Sequence, residues 1–294
     1  MAAVSRRAVL LGGVGISASA LATGGLLVNE GILPGRVRAY ALLGLNGEDE
    51  PIPDVAPGRR YSGSFDSAAR GGVRTAWAMS VPPDHQPEGL PLLVCLHGAR
   101  ADHRAAFDLM GIDRFLAQAV NDGVPPFAVA SVDGGPESYW HPRADGTDSG
   151  AMVVDELIPL LTERFSLSGG SALYGWSMGG YGALRLAMRG AAVLGVVATS
   201  PALFASYGDT SPGSFDSRAD FEAEGLRGDG GDFPENVPVR VDCGNGDPFF
   251  FAVRDFVEDL PRLNEGGFED GAHKSGYMRR MLPDQLAFIG SQLA

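Results

Sequence analysis

Cysteine is scarce: Cys95 and Cys243 are the only two in 294 residues, too few for a disulfide framework. Each lies in an apolar, strand-like run, and in the sheet argued below those strands are not neighbours. Two buried small hydrophobes are therefore expected, even in an exported protein. Lysine is almost missing: Lys274 stands alone among 23 basic residues, against 36 acids and a formal net charge of −13. The first 41 residues hold Arg6, Arg7, Arg36, Arg38 and Glu30, which leaves −16 on the remainder. So acidic a body repels polyanions, which argues against nucleic acid or anionic lipid as a partner. Histidine is limited to His85, His97, His103, His141 and His273. The group His97, Asp102 and His103 is the nearest approach to a metal-ligand cluster. It lacks both H-E-x-x-H spacing and a dense His/Cys set, so no metal and no organic cofactor is expected.

What the chain has in abundance is glycine, 42 residues, and four glycines fall in the stretch that organises the rest. The apolar run Ala172-Leu173-Tyr174 ends in Gly175-Trp176-Ser177-Met178-Gly179, and a helix-forming run, Ala183 to Arg189, follows. Gly-x-Ser-x-Gly between a strand and a helix is the setting of a nucleophile elbow. A turn that tight leaves no room for a Cβ at either flank. It lifts the serine hydroxyl above the strand end, with the positive end of the next helix beneath any oxyanion.

Read in order, residues 1–41 have the form of an export leader. Ser5-Arg6-Arg7 precedes a Gly/Ala/Leu-rich segment, Val9 to Val28, which resembles a twin-arginine signal. Ala39-Tyr40-Ala41 is a cleavage candidate, and an uncleaved leader would be the only route to a membrane. Secreted, periplasmic or envelope-associated location is the expectation. Residues 42–58, rich in Gly, Pro and acids, read as a linker. A hairpin turning at Gly71-Gly72 opens the domain 59–294. Strand signals then alternate with helix signals: Leu90–Leu96, Phe127–Val132, the run Ala172–Tyr174, Val193–Thr199 and Val237–Cys243 are strands. Helices are expected through Phe107–Val120, Gly150–Phe165 with a kink at Pro159, Phe249–Leu263 and Leu282–Leu293. The alternation predicts one α/β domain, a mostly parallel sheet with helices on both faces. Residues 203–236, dense in Gly, Asp, Ser and Pro, read either as a lid or as a solvated loop.

Serine acyl transfer needs a base for the hydroxyl proton, an acid to orient the base, and donors for the oxyanion. In the α/β-hydrolase order Ser, Asp/Glu, His, only His273 lies beyond Ser177 and is therefore the expected base. Asp247, reached from a strand through Gly244-Asn245-Gly246, is the expected acid; Asp242 falls within the strand's own alternation. As a loop acid before Pro248, Asp247 also has the makings of a turn former. The oxyanion donors expected from position are the N–H groups of Met178 and Ala99. His97, Trp140 and Trp176 are candidates for substrate contact. The aromatic group Tyr139-Trp140-His141 reads equally as a pocket lining or as a cap on the core.

Leu96-His97-Gly98-Ala99-Arg100, Gly175 to Gly182, Cys243-Gly-Asn-Gly-Asp247-Pro-Phe, and His273 with Tyr277-Met-Arg279-Arg280-Met-Leu-Pro283 together resemble the serine esterase family of the α/β-hydrolases. That family takes in esterase D-type enzymes, feruloyl esterases and the secreted mycolyltransferases, and the resemblance spans roughly residues 60–294. It implies the α/β-hydrolase fold and an esterase or acyltransferase with Ser177, Asp247 and His273 as triad. The Arg100 position is similar to a substrate-binding arginine in the mycolyltransferases. His97 stands where those enzymes have aspartate, and Asp247 where they have glutamate. The expected substrate is a small-molecule or cell-envelope ester. The alternatives are acyl transfer to a sugar or cell-wall hydroxyl, and a non-catalytic surface-binding protein on a hydrolase fold.

Overall fold

The computed structural model describes residues 35–226, 230–261 and 265–294. Most of the expected leader, and its twin arginines, lie outside the described residues. Helix α1 (Arg36–Leu42) comes first, and residues 43–59 follow with little regular structure. They nevertheless run against the domain: Gly111 faces Ile52, and Arg114 donates to the carbonyl of Val55. The segment is laid down on the domain, and does not hang free as a linker would.

Strands β1 (Arg60–Ser67) and β2 (Val73–Ser80) pair antiparallel about Gly71 and Gly72, both at positive φ, as the hairpin signal required. Strand β3 (Leu92–Leu96) leads to α2 (Ala105–Asp108) and α3 (Ile112–Asn121). After β4 (Ala128–Val132) come α4 (Ser149–Ala151), a π-helical stretch over Met152–Leu157, and α5 (Ile158–Phe165). Pro159 sits in the first turn of α5, immediately after the widened turn. The irregularity expected at Pro159 is thus a change of helical pitch, which takes up the bond that proline cannot donate. Strand β5 (Ser171–Trp176) then runs into α6 (Met178–Met188), and β6 (Val196–Thr199) follows. A short α7 (Arg218–Glu224) precedes β7 (Val239–Gly244) and α8 (Phe250–Asp259). Strand β8 (Glu265–Glu269) and the long α9 (Ser275–Leu293) complete the order.

The eight strands are ordered β1-β2-β4-β3-β5-β6-β7-β8, and every pair from β4 to β8 is parallel. Because helices cover both faces, the central strands read as continuous apolar runs whose alternate residues serve two cores. Leu92, Val94 and Leu96 enter one core with Leu173 and Leu184; Leu93 and Cys95 enter the other with Tyr174 and Leu286. Cys95 and Cys243 are buried and unbonded, with β5 and β6 between their strands. On the α9 face, Arg240 and Asp242 replace the apolar pattern. They form a two-point ion pair that Gln285 completes by donating to Asp242 at 2.6 Å.

Residues 203–236 are neither a solvated loop nor, in this conformation, a raised lid. Phe204, Phe215, Phe221 and Phe233 are all buried. Phe215 packs edge-on to Tyr181 of α6 at 6.0 Å between centroids and lies flat against His141 at 5.1 Å. Scattered single aromatics held this segment down, where the sequence offered no long apolar run.

Candidate active site

The turn between β5 and α6 holds Ser177 at φ 56°, ψ −121°. A non-glycine residue in that region carries about 1–3 kcal/mol of strain, which the surroundings must hold. They do so through the backbone. Ser177 N donates to Thr199 O at 3.0 Å, and Ser177 O accepts from Ala202 N at 2.9 Å and Tyr181 N at 3.1 Å. The flanking glycines are sterically required. A Cβ on Gly175 would stand 2.0 Å from Gly179 O, and one on Gly179 only 1.9 Å from Leu96 O. Helix α6 is thereby pressed against the end of β3, and the turn after β3 is brought beside the serine. Gly98 is close enough that a Cβ there would meet Ser177 Cβ at 3.4 Å.

His273, on the loop between β8 and α9, places Nε2 2.9 Å from Ser177 Oγ. Its Nδ1 lies 2.8 Å from Asp247 Oδ2. The Asp247 side chain is wholly buried, whereas that of His273 is 27% exposed. The second carboxylate oxygen of Asp247 accepts from Phe249 N at 2.9 Å, which closes an Asx turn. Asp247 therefore closes a turn with one oxygen and meets the imidazole of His273 with the other. Phe249 also packs its ring edge-to-face on the imidazole, 5.2 Å between centroids. That contact was not foreseen, although Phe249 stands only two residues past the acid. Asp242, the competitor for the acid's place, is turned away into its pair with Arg240.

Met178 opens α6, where an N–H has no intrahelical acceptor. In the turn after β3, Arg100 N donates to Pro136 O and Ala101 N to Gly98 O. That leaves Ala99 N without an acceptor among the described residues. Both donors thus flank the serine at the sheet's C-terminal edge.

The four side chains expected to touch substrate divide. His97 is fully buried: Nδ1 donates to Gly98 O at 2.8 Å and Nε2 accepts from Gly134 N at 3.1 Å. Burial pushes its pKa below the ordinary value. With both ring nitrogens engaged by backbone, it ties the β3 and β4 loops together beneath the site and is closed to substrate. Trp140 is likewise fully buried, donating Nε1 to His97 O at 3.3 Å. Its ring occupies the room left by Gly134 and Gly182, where a Cβ would come within 2.4 and 2.6 Å of it. Of the two readings of the 139–141 group, the core cap describes Trp140. Trp176 is buried under Gly98, and its ring closes the floor beneath the turn after β3. Only Arg100, 84% exposed and 3.5 Å from Glu137, stands at the rim.

The family model described as "Putative esterase" matches residues 72–251, more than half of the chain. A search of curated proteins found no match. Among solved structures, a ferulic acid esterase is similar at TM-score 0.69 and 17% identity, over 81% of this chain and 100% of its own. An S-formylglutathione hydrolase from Agrobacterium tumefaciens gives 0.67 and 16%, over 84% and 99%. A fluorophosphonate-binding serine hydrolase of Staphylococcus aureus, FphF, gives 0.62 and 18%, over 80% and 99%. The chain belongs to this esterase family and has the α/β-hydrolase fold of these structures.

Proposed function

We propose that the protein is a carboxylic ester hydrolase in which Ser177 is the nucleophile, His273 the general base and Asp247 the orienting acid. The observation that carries this is the unbroken relay Ser177 Oγ–His273–Asp247, at 2.9 and 2.8 Å. In the first step His273 Nε2 takes the hydroxyl proton as Oγ adds to the ester carbonyl. The resulting oxyanion lies between the N–H groups of Met178 and Ala99. His273 returns the proton to the departing alcohol, and an acyl-enzyme remains. Water, deprotonated by the same imidazole, then releases the acid and frees Ser177. The 27% exposure of His273 gives water a path to the base for this second step.

The substrate is a small-molecule or cell-envelope ester, and no cofactor takes part. Twin arginines before an apolar segment support export by the twin-arginine route. Among the described residues no helix is long and apolar enough to cross a membrane. Ser177→Ala should abolish hydrolysis of p-nitrophenyl acetate and labelling by a fluorophosphonate probe; near-wild-type activity in that variant removes the assignment. Product analysis with and without a sugar acceptor separates hydrolysis from transfer.

A further inference from the structure

We propose that the segment 36–50, ahead of the sheet, is a positioning strap for the acid and base of the active site, anchored by Arg36 and retained on the working enzyme. This rests on the assignment of Ser177, His273 and Asp247 made above.

The acid and the base stand on loops at the weak side of the sheet. His273 follows β8, the edge strand, which is largely exposed and contains Gly266 and Gly267. What holds the two loops is largely each other. Asn245 N donates to Glu269 O at 2.6 Å and Gly246 N to Gly271 O at 2.7 Å. Their approach is so close that a Cβ on Gly244 would lie 2.5 Å from the Gly271 carbonyl.

The strap closes over this pair of loops. Arg36, buried despite its charge, donates Nε to Asn245 O at 2.7 Å, two residues before the acid. Its guanidinium lies 3.9 Å from the ring centroid of Phe250, at the start of α8. Tyr40 and Asn46 pack on Gly246, where a Cβ would come 3.1 Å from Tyr40 Cβ and 2.2 Å from Asn46 Oδ1. Further along, Glu50 N donates to Gly276 O at 3.0 Å, and Arg279 Nε donates to Glu50 O at 2.6 Å. Arg280 bonds the carbonyls of both Glu48 and Asp270. One end of the segment therefore grips the loop of Asp247, and the other grips the elements on either side of His273.

The bonds that hold Ser177 and the Gly98–Ala101 turn come instead from β6, from Pro136 and from within the turn. Loosening the strap should therefore leave the nucleophile and the oxyanion donors in place while the imidazole and carboxylate drift. A misplacement of about 1 Å is enough to cost up to ~100-fold in rate. The cleavage candidate Ala39-Tyr40-Ala41 lies inside α1, and a cut there would discard Arg36 and Tyr40. Whatever processing the leader undergoes, the working chain keeps Arg36.

The test uses the full chain with Arg36→Ala, Arg36→Lys and, separately, Ser177→Ala. For Arg36→Ala, kcat on p-nitrophenyl acetate should fall roughly tenfold or more, with KM within about twofold. Amide hydrogen exchange should quicken at 245–249 and 270–276 but not in β3 to β5. Arg36→Lys, which keeps a charged donor, should restore most of kcat. Wild-type kcat in Arg36→Ala would overturn the proposal. So would exchange quickened throughout the sheet, which would make Arg36 a plain stability residue. A fully active enzyme isolated from its own cell with residue 42 at its N-terminus would overturn it too. Activity surviving in Ser177→Ala strikes the triad itself, so the two failures are read apart.

Discussion

Replacing Asp247 by asparagine tests the relay at the atom where the geometry is most explicit. The two oxygens of Asp247 face different partners: Oδ1 accepts from Phe249 N at 2.9 Å, and Oδ2 meets His273 Nδ1 at 2.8 Å. An asparagine amide is nearly isosteric, but only one of its two ends accepts. The backbone N–H of Phe249 is a fixed donor that needs the oxygen, so the NH2 end is forced toward the imidazole. His273 Nδ1 must then become the acceptor, its proton moves to Nε2, and the nitrogen facing Ser177 Oγ can no longer take a proton. A wrong-tautomer histidine costs triad hydrolases about four orders of magnitude in kcat, or ~5.4 kcal/mol of transition-state stabilisation. The side chain is fully buried and its packing is preserved, so the melting temperature should change little. The assay is steady-state hydrolysis of p-nitrophenyl acetate beside a thermal melt. A kcat within tenfold of wild type, in a variant that melts normally, would refute both the acid's role and the reasoning about the fixed amide.

Trp140→Ala should destabilise the fold by about 3–5 kcal/mol in urea denaturation, because a fully buried indole is removed, while KM stays unchanged in the protein that folds. A raised KM with normal stability would return Trp140 to the pocket. Gly179→Ala places a methyl 1.9 Å from Leu96 O, so α6 must part from β3. Activity should collapse and stability fall by about 1–3 kcal/mol or more, read by fluorophosphonate labelling and thermal melt. His97 carries a pH dependence. Burial lowers its folded-state pKa below the ordinary 6.5, so the unfolded chain takes up the proton first as the solution is acidified. Its contribution to stability is therefore complete above about pH 6.5 and is lost below it, by up to ~1.4 kcal/mol per pH unit. His97→Gln, less stable at neutral pH for its lost bonds, should show a shallower fall in melting temperature between about pH 7 and pH 5. A limb as steep as wild type would exclude His97 as its source.

Elements fixed by short-range sterics were legible in the sequence, and elements fixed by long-range packing were not. The hairpin at Gly71-Gly72, the elbow around Ser177 and the alternation of strands and helices each follow from a local rule about space or periodicity. The positions of Asp247 and His273 were legible because the strand order of such a sheet fixes where loops converge, independently of what fills them. The helix after His273 begins at Ser275, not at Leu282 as expected, because Pro283 is tolerated inside α9. A proline costs a helix one bond and a clash, and burial of Tyr277, Met278 and Met281 ahead of it offsets that cost. No window around Pro283 carries that information. The same holds for His97, a candidate for substrate contact, and for Trp140, for which pocket lining and core cap stand equal in the sequence. Their burial is decided by Gly134 and Gly182, which leave room for the indole, and by a Gly134 N–H that meets the imidazole from another loop.

Segment 36–58 shows why composition alone misleads about linkers. Its prolines, glycines and acids exclude helix and strand over most of its length, and the absence of regular structure past α1 agrees. Irregular backbone still has carbonyls to satisfy, and here Arg279, Arg280 and Arg114 supply the donors for Glu50, Glu48 and Val55. Three arginines from the folded domain, each spent on a main-chain carbonyl, hold the extended part of the segment, while its own Arg36 and Tyr40 anchor its start. A sequence reading confined to residues 48–55 misses that order, because its donors stand 59 to 232 positions away in the chain. That arrangement also makes the extended part of the segment sensitive to one-residue changes in the domain it lies on, since its carbonyls have no donors of their own.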